Sequence, residues 1–328
     1  MKKIHFIAVA LMATITTWAQ NIAVVSPSNV TKVRQTLDEA ISEAEDGSII
    51  YLPGGGFQIK DETIITKRLT IMGVSHRGDT DNVDGATVIA GNICFVGGSS
   101  GSSVTGVYVS GDINVGDEEN YVSNLTVRFC NVNSIQVKNS NSSGMIINQC
   151  YLRNTSNFGN CNVRLENNIL HSAININGGI ISNNVITSNH YVWRDSNYPL
   201  RDVSNSLITN NFLLDPSSIH RGPSCSILNN CIGTGSWGEE CIQLDEGKSW
   251  DDVFGENNNK GVSIKSDYSI KGKWGKNAGT DGKDIGIYGG SGFKPNALAP
   301  IPRIVSKEVD EHTDGSGKLQ IKVTVRAQ

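Results

Sequence analysis

A chain of 328 residues with 28 basic and 32 acidic side chains has a formal net charge of −4, so its charge does not point to a nucleic-acid partner. Its seven cysteines are an odd number, which excludes a framework in which every cysteine is paired. No Cys/His spacing resembles a zinc site, and no resident metal is expected on that ground.

Residues 1–20 read as a signal peptide. Lys2 and Lys3 precede the apolar run IHFIAVALMATI, and Thr17-Trp18-Ala19 marks a cleavage point. The run is too short to span a bilayer, and no cysteine follows it to carry a lipid. The mature chain is therefore expected to be exported, periplasmic or extracellular, without a membrane-spanning segment. Next, VRQTLDEAISEAEDG (33–47) places Leu37, Ile41 and Ala44 at helical spacing and stops at Gly47, predicting a helix over about 33–47. SIIYLPGGGFQI (48–59) and TIITKRLTIMGV (63–74) follow as strands around a Pro-Gly turn. GATVIAGNICFV (85–96) and SSVTGVYVSGDINV (102–115) continue them.

From Met145 the chain repeats itself. MIINQCYL, VRLENNILHS, IISNNVITS, SLITNNFLLD and SILNNCIG each hold apolar residues, a polar pair that is usually Asn-Asn, and apolar residues again. Anchored on Cys150, Ile169, Val185, Phe212 and Cys231, the lines recur at 19, 16, 27 and 19 residues, with Cys130 one repeat earlier. Repeats of this length, with strand signals on both sides of a turn, predict stacked coils. Asparagine tolerates the left-handed backbone of a sharp turn. Its amide can also bond to the same amide one coil away, because strands stack about 4.8 Å apart. Asn168, Asn184, Asn211 and Asn230 are expected to point inward and the other member of each pair outward. Cys130, Cys150 and Cys231 then share the inward phase of Ile169, Val185 and Phe212 as small apolar members of the stack.

The repeat fades from Gly233. RIVSKEV, the turn HTDGSGK and LQIKVTVRA predict an antiparallel hairpin with Leu319, Ile321, Val323 and Val325 on one face, packed on the last coils or docking a protein partner. The domains read as signal 1–20, stacked coils 21–296 and hairpin appendage 297–328.

The order helix, DGSIIYLPGGGF, then ITKRLTIMG resembles the opening of the pectate-lyase-like right-handed β-helix superfamily, with Phe57 where that pattern carries Tyr. The tail GIYGGSGFKPNALAPIPRI with the hairpin resembles the ending of secreted bacterial β-helix proteins. The resemblance implies an all-β, right-handed parallel β-helix with an N-terminal capping helix. It also implies polysaccharide or oligosaccharide as the partner, with lyase or glycoside hydrolase chemistry if the chain is an enzyme.

The candidate site follows from the one long interval. Between Val185 and Phe212 about eight extra residues carry His190, Tyr191, Trp193, Arg194, Asp195 and Arg201, and the next two intervals carry His220-Arg221 and Trp237-Gly238-Glu239-Glu240. Loops leaving one phase of successive coils line one groove. Trp193-Arg194, His220-Arg221 and Glu239-Glu240 fall at like counts from their anchors. Aromatic rings stack on sugar faces and Arg forks grip carboxylates, so His190, Tyr191, Trp193, Asp195, Arg201 and Trp237 are candidate substrate-binding residues. Arg194, His220, Arg221, Glu239 and Glu240 are the candidate catalytic groups. For hydrolysis Glu239, Glu240, Asp195 and Asp245 are the available carboxylates, and no spacing selects a pair; Arg194 or Arg221 suits β-elimination as the base, with calcium at Asp251-Asp252 if the chain is a lyase. No complete catalytic set of the superfamily is present. A non-catalytic envelope or adhesive scaffold is the alternative.

Overall fold

The computed structural model describes residues 21–77, 85–187, 199–214, 220–221, 224–232, 241–255, 266–294, 303–310 and 312–326, with the backbone alone for residues 60, 61, 220, 221, 303–305, 307 and 326. The repeat seen in the sequence is a pass of three short strands, for example Met145–Asn148, Tyr151–Leu152 and Ser156–Cys161. Each pairs in parallel with its counterpart one pass later: Val163–Glu166, Ile169–Leu170 and Ala173–Asn177. First strands build an 11-stranded sheet. Second and third strands build two runs that the long strand Thr87–Phe95 joins into a 16-stranded sheet. Parallel neighbours need a long return connection; here the other two strands of the pass supply it, where α/β folds use a helix.

Alternation decides what faces inward. On the first face Ile71, Val104, Val127, Ile147, Leu165, Ile181, Ile208 and Ile227 are register partners, and all are buried. On the second face Val109, Val132, Leu152, Leu170, Ile186, Leu213 and Ile232 do the same. A one-residue slip in any pass would turn its apolar column outward, so this pattern fixes the register.

Two residues turn the chain from the first face to the second. The first is left-handed at Phe129, Gln149, Asn167, Asn183, Asn210 and Asn229, with φ between 50° and 57°. The second points inward, and Asn168, Asn184, Asn211 and Asn230 form a fully buried ladder. Nδ2 of Asn168 donates to Oδ1 of Asn184 at 3.0 Å, Asn184 to Asn211 at 2.9 Å, and Asn211 to Asn230 at 2.9 Å. Each Oδ1 also accepts a backbone N–H from the pass before, those of Cys150, Asn168, Asn184 and Asn211. A buried amide is tolerated because both of its ends find partners.

The register corrects the cysteines. Tyr151, not Cys150, is the partner of Ile169, so Cys130 and Cys150 stand at the amide position; Cys231 shares the phase of Phe212, which faces outward. Their thiols donate two residues back along the turn, Cys130 to the Arg128 carbonyl at 3.0 Å and Cys150 to that of Asn148 at 3.3 Å, as Asn230 does to Leu228 at 3.0 Å. All seven cysteines are free thiols.

The N-terminal helix is shorter than predicted, Leu37–Glu43, because Val33 belongs to the strand Thr31–Arg34, which pairs antiparallel with Ile22–Val25. Thr36 and Glu39 form a capping box, and Lys67 donates to the carbonyls of Ser42 and Ala44 at the other end. Leu37, Ala40 and Ile41 close onto the core beside Ile22 and Val24.

The far end carries a cover. Tyr151, Ile169, Val185, Phe212 and Cys231 form an outward apolar stripe on the second face, and Trp250, Val253, Phe254, Tyr268, Trp274, Ile285, Ile287 and Phe293 bury it. Phe212 meets Phe254 edge-on at 4.7 Å, and a Cβ on Gly286 (φ 80°) would lie 2.5 Å from its ring, so only glycine lets the cover sit this close. The outer asparagines, expected to face solvent, lie under this cover instead. Asn167 Nδ2 donates to the Ile287 and Gly289 carbonyls at 2.8 Å, and Asn229 Nδ2 to that of Ala278 at 2.9 Å. Asn210 Nδ2 donates to Thr280 Oγ1 at 3.0 Å, and its Oδ1 accepts the Thr280 N–H at 3.0 Å.

The C-terminal hairpin is Arg303–Val309 with Ile321–Arg326, antiparallel. Leu319, Ile321, Val323 and Val325, expected to pack on the last coils, are 46–59% exposed.

Candidate functional site

The strands that bound the three long segments are neighbours. Val185–Ile186, Phe212–Leu213 and Cys231–Ile232 pair in succession on the second face, and Leu200–Ser204 pairs with His220–Arg221 on the third. The described chain passes from the second face to the third after Val185–Ile186 and after Phe212–Leu213, whereas the strand that follows Cys231–Ile232, Ile242–Gln243, pairs with it on the second face. His190, Tyr191, Trp193, Arg194, Asp195, Trp237, Glu239 and Glu240 lie outside the described residues, as do the side chains of His220 and Arg221. The expected match of Trp193-Arg194 with His220-Arg221 lies outside the described residues; in the backbone register Arg201 stands opposite His220, and Val203 opposite Arg221. Arg201 is half-buried, with Nε 3.4 Å from the Asp202 carboxylate.

Below this point the corner between the second and third faces carries a row of polar side chains, one per pass. Asn154 Nδ2 donates to Asn133 Oδ1 at 2.7 Å, Asn133 Nδ2 to Asp112 Oδ1 at 2.7 Å, and the Asp112 N–H to Asn92 Oδ1 at 2.9 Å. His171 follows Arg153 one pass on, its N–H bonded to the Leu152 carbonyl as that of Arg153 is to Val132, one pass before Thr187. Burial holds its imidazole below the usual histidine pKa and so favours the neutral ring. Arg153 on this corner has a structural task. It lies over the Tyr108 ring at 4.9 Å and donates to the carbonyls of Val109 and Ser110.

The third face adds a parallel column. Cys94, Asn114, Gln136, Asn157, Ile174, Arg201 and His220 are successive register partners. Asn114, Gln136, Asn157 and Arg201 are partly exposed, so hydrogen-bonding groups recur in these passes, interrupted at Ile174. Neither this column nor the corner row was legible as a site, because single polar residues between apolar ones also mark the solvent side of any strand.

Other aromatic and acidic groups take structural roles. Trp250 and Trp274 are buried in the cover, and Trp250 Nε1 donates to the Leu214 carbonyl at 2.6 Å. Asp251-Asp252, the suggested calcium ligands, open the helical turn Trp250–Phe254. Asp252 accepts the Ser249 N–H, which with Lys248 holds its carboxyl below the usual range. Asp245 is likewise held low by a hydrogen bond from Lys273, 2.7 Å away. Among the described residues no three His, Cys, Asp or Glu side chains gather as a metal site, and no helix is long and apolar enough to cross a membrane.

No family model, curated protein or solved structure matches this chain.

Proposed function

We propose that the passes wind as a right-handed parallel β-helix of the pectate-lyase-like kind, and that the exported protein binds polysaccharide along the corner between the second and third faces. The observation that carries this reading is the pairing of the strands that flank the three long segments. Because the strands that precede these segments are neighbours, it supports His190–Arg201, His220–Arg221 and Trp237–Glu240 sharing one edge, at the head of the row Asn92, Asp112, Asn133 and Asn154. A repeating row of amides and carboxylate suits a repeating ligand, because each sugar unit can reuse the same kind of hydrogen bond. Tyr191, Trp193 and Trp237 supply rings for sugar faces, and Arg194, Arg201 and Arg221 supply cations for acidic sugars.

The reading is binding rather than turnover. If the site also cleaves, Arg194, His220, Arg221, Glu239 and Glu240 are the groups that would do it. Retention on immobilised uronic-acid and neutral polysaccharides tests binding, and unsaturated products and reducing ends report cleavage. Retention lost in Trp193→Ala and Arg201→Ala supports the reading, and retention unchanged in both contradicts it. The scaffold reading is favoured by a different observation, the exposed apolar alternation Leu319, Ile321, Val323 and Val325 on the hairpin. Deleting 303–328 separates the two: polysaccharide retention survives, and attachment to a protein partner does not.

A further inference from the structure

The third face holds a cleft far from the long segments, at its N-terminal end, with a volume of about 410 Å³. Cys94 forms its floor, Ile64 and Val96 its apolar wall, and Glu62, Glu118 and Lys138 its charged rim. The volume lies at the lower end of the range for small-molecule pockets. Gly116 is required at its margin by the backbone. Its φ is 76°, and a Cβ there would meet the Asn120 carbonyl at 2.8 Å and the Asn139 side chain at 3.0 Å.

The lining groups differ in how far they are already engaged. Asp117 is turned into its own loop, where its carboxylate accepts from the N–H groups of Glu119 and Asn120 and from the Asn120 amide. Glu62 keeps one oxygen busy: Oε1 accepts from the Cys94 thiol at 2.8 Å and from Asn114 Nδ2 at 3.0 Å, which aims the other oxygen of the carboxylate away from those donors. Glu118 and Lys138 are exposed and enter none of the ion pairs among the described residues. Ile64 is 57% exposed, so its apolar side chain is open to a ligand in the cleft.

Two chemistries drop out. Burial and the Glu62 carboxylate push the Cys94 thiol up to about 12, so it is a hydrogen-bond donor at neutral pH and not a nucleophile. The carboxylates here are not gathered as a metal cage. What remains is an anchored carboxylate, a second carboxylate and an ammonium around an apolar wall.

The geometry points to a second ligand site, for a small zwitterion whose ammonium lies between Glu62 and Glu118, whose carboxylate meets Lys138 and whose carbon chain rests on Ile64 and Val96. It does not depend on polysaccharide binding at the other end of the face. The test is calorimetric titration of the full mature chain with 6-aminohexanoate and a set of free α-amino acids, with hexylamine and hexanoate as single-charge controls. A zwitterion is expected to bind at least about tenfold more tightly than either control, since one charge-assisted contact is lost in each. Glu62→Gln and Lys138→Met should each weaken binding about tenfold, and Ile64→Trp should abolish it by filling the cleft, all with unchanged circular dichroism. Glu118→Gln serves if Glu62→Gln fails to fold. Hexylamine binding as tightly as 6-aminohexanoate, undiminished binding in Lys138→Met, or no zwitterion binding at concentrations on the order of 10 mM would overturn the assignment.

Discussion

The two corners that flank the second face use the same amide chemistry for opposite ends. At the first-to-second corner Asn168, Asn184, Asn211 and Asn230 are fully buried, and the outer asparagines lie beneath residues 268–294. At the second-to-third corner Asn92, Asp112, Asn133 and Asn154 also bond from pass to pass, but they stay in reach of solvent. A hydrogen bond closed off from water is costly to break, because each partner left behind keeps its desolvation penalty; one at the surface is replaced by water. The first corner therefore holds the stack together. The second can exchange its bonds for those of a ligand.

The contrast can be broken most sharply at Asn184. Asn184→Ala strands the Asn168 amide, the Leu165 carbonyl and the Asn211 side chain at once, and is expected to cost about 3–5 kcal/mol in urea denaturation. Trp250→Ala comes next. It opens the cover over Phe212 and frees the Leu214 carbonyl, for a loss of about 3–4 kcal/mol with increased dye binding to exposed apolar surface. Asn154→Ala, the surface counterpart, should cost below about 1 kcal/mol and lower polysaccharide retention instead. A loss at Asn154 equal to that at Asn184 would erase the distinction.

The smallest effect is on pH. Burial pushes Cys94 up to about 12 and Cys161 up to about 11, and it raises Cys150 and Cys231 as well. A thiol whose folded pKa is raised favours the neutral form. Its contribution is intact below the unfolded value near 9 and is lost as pH rises through 9 towards 11–12. Stability should therefore fall across that window, and less so in Cys94→Ser.

The sequence carried the fold further than the site. Four Asn-Asn pairs at one phase are visible because the ladder needs the same residue in each pass, so the constraint repeats. Cys130 and Cys150 broke the pattern by one position: a thiol can stand in for the amide, and apolar character alone could not tell the inward column from the stripe beneath the cover. The cover itself gave no periodic signal, since Gly275, Gly286 and their neighbours are chosen to fit Phe212 and not each other. The hairpin's alternation was legible, yet alternation says which residues share a face and not what that face meets. The cleft at Cys94 was missed because Glu62, Cys94 and Lys138 are far apart in the chain and meet only through register.

Hydrogen exchange of four backbone amides probes the ladder most directly. The N–H groups of Cys150, Asn168, Asn184 and Asn211 each donate to an asparagine oxygen of the next pass. They should exchange only with global unfolding, while those of Asn154 and His171 exchange through local opening. Ladder amides that exchange as fast as the open corner would contradict the account.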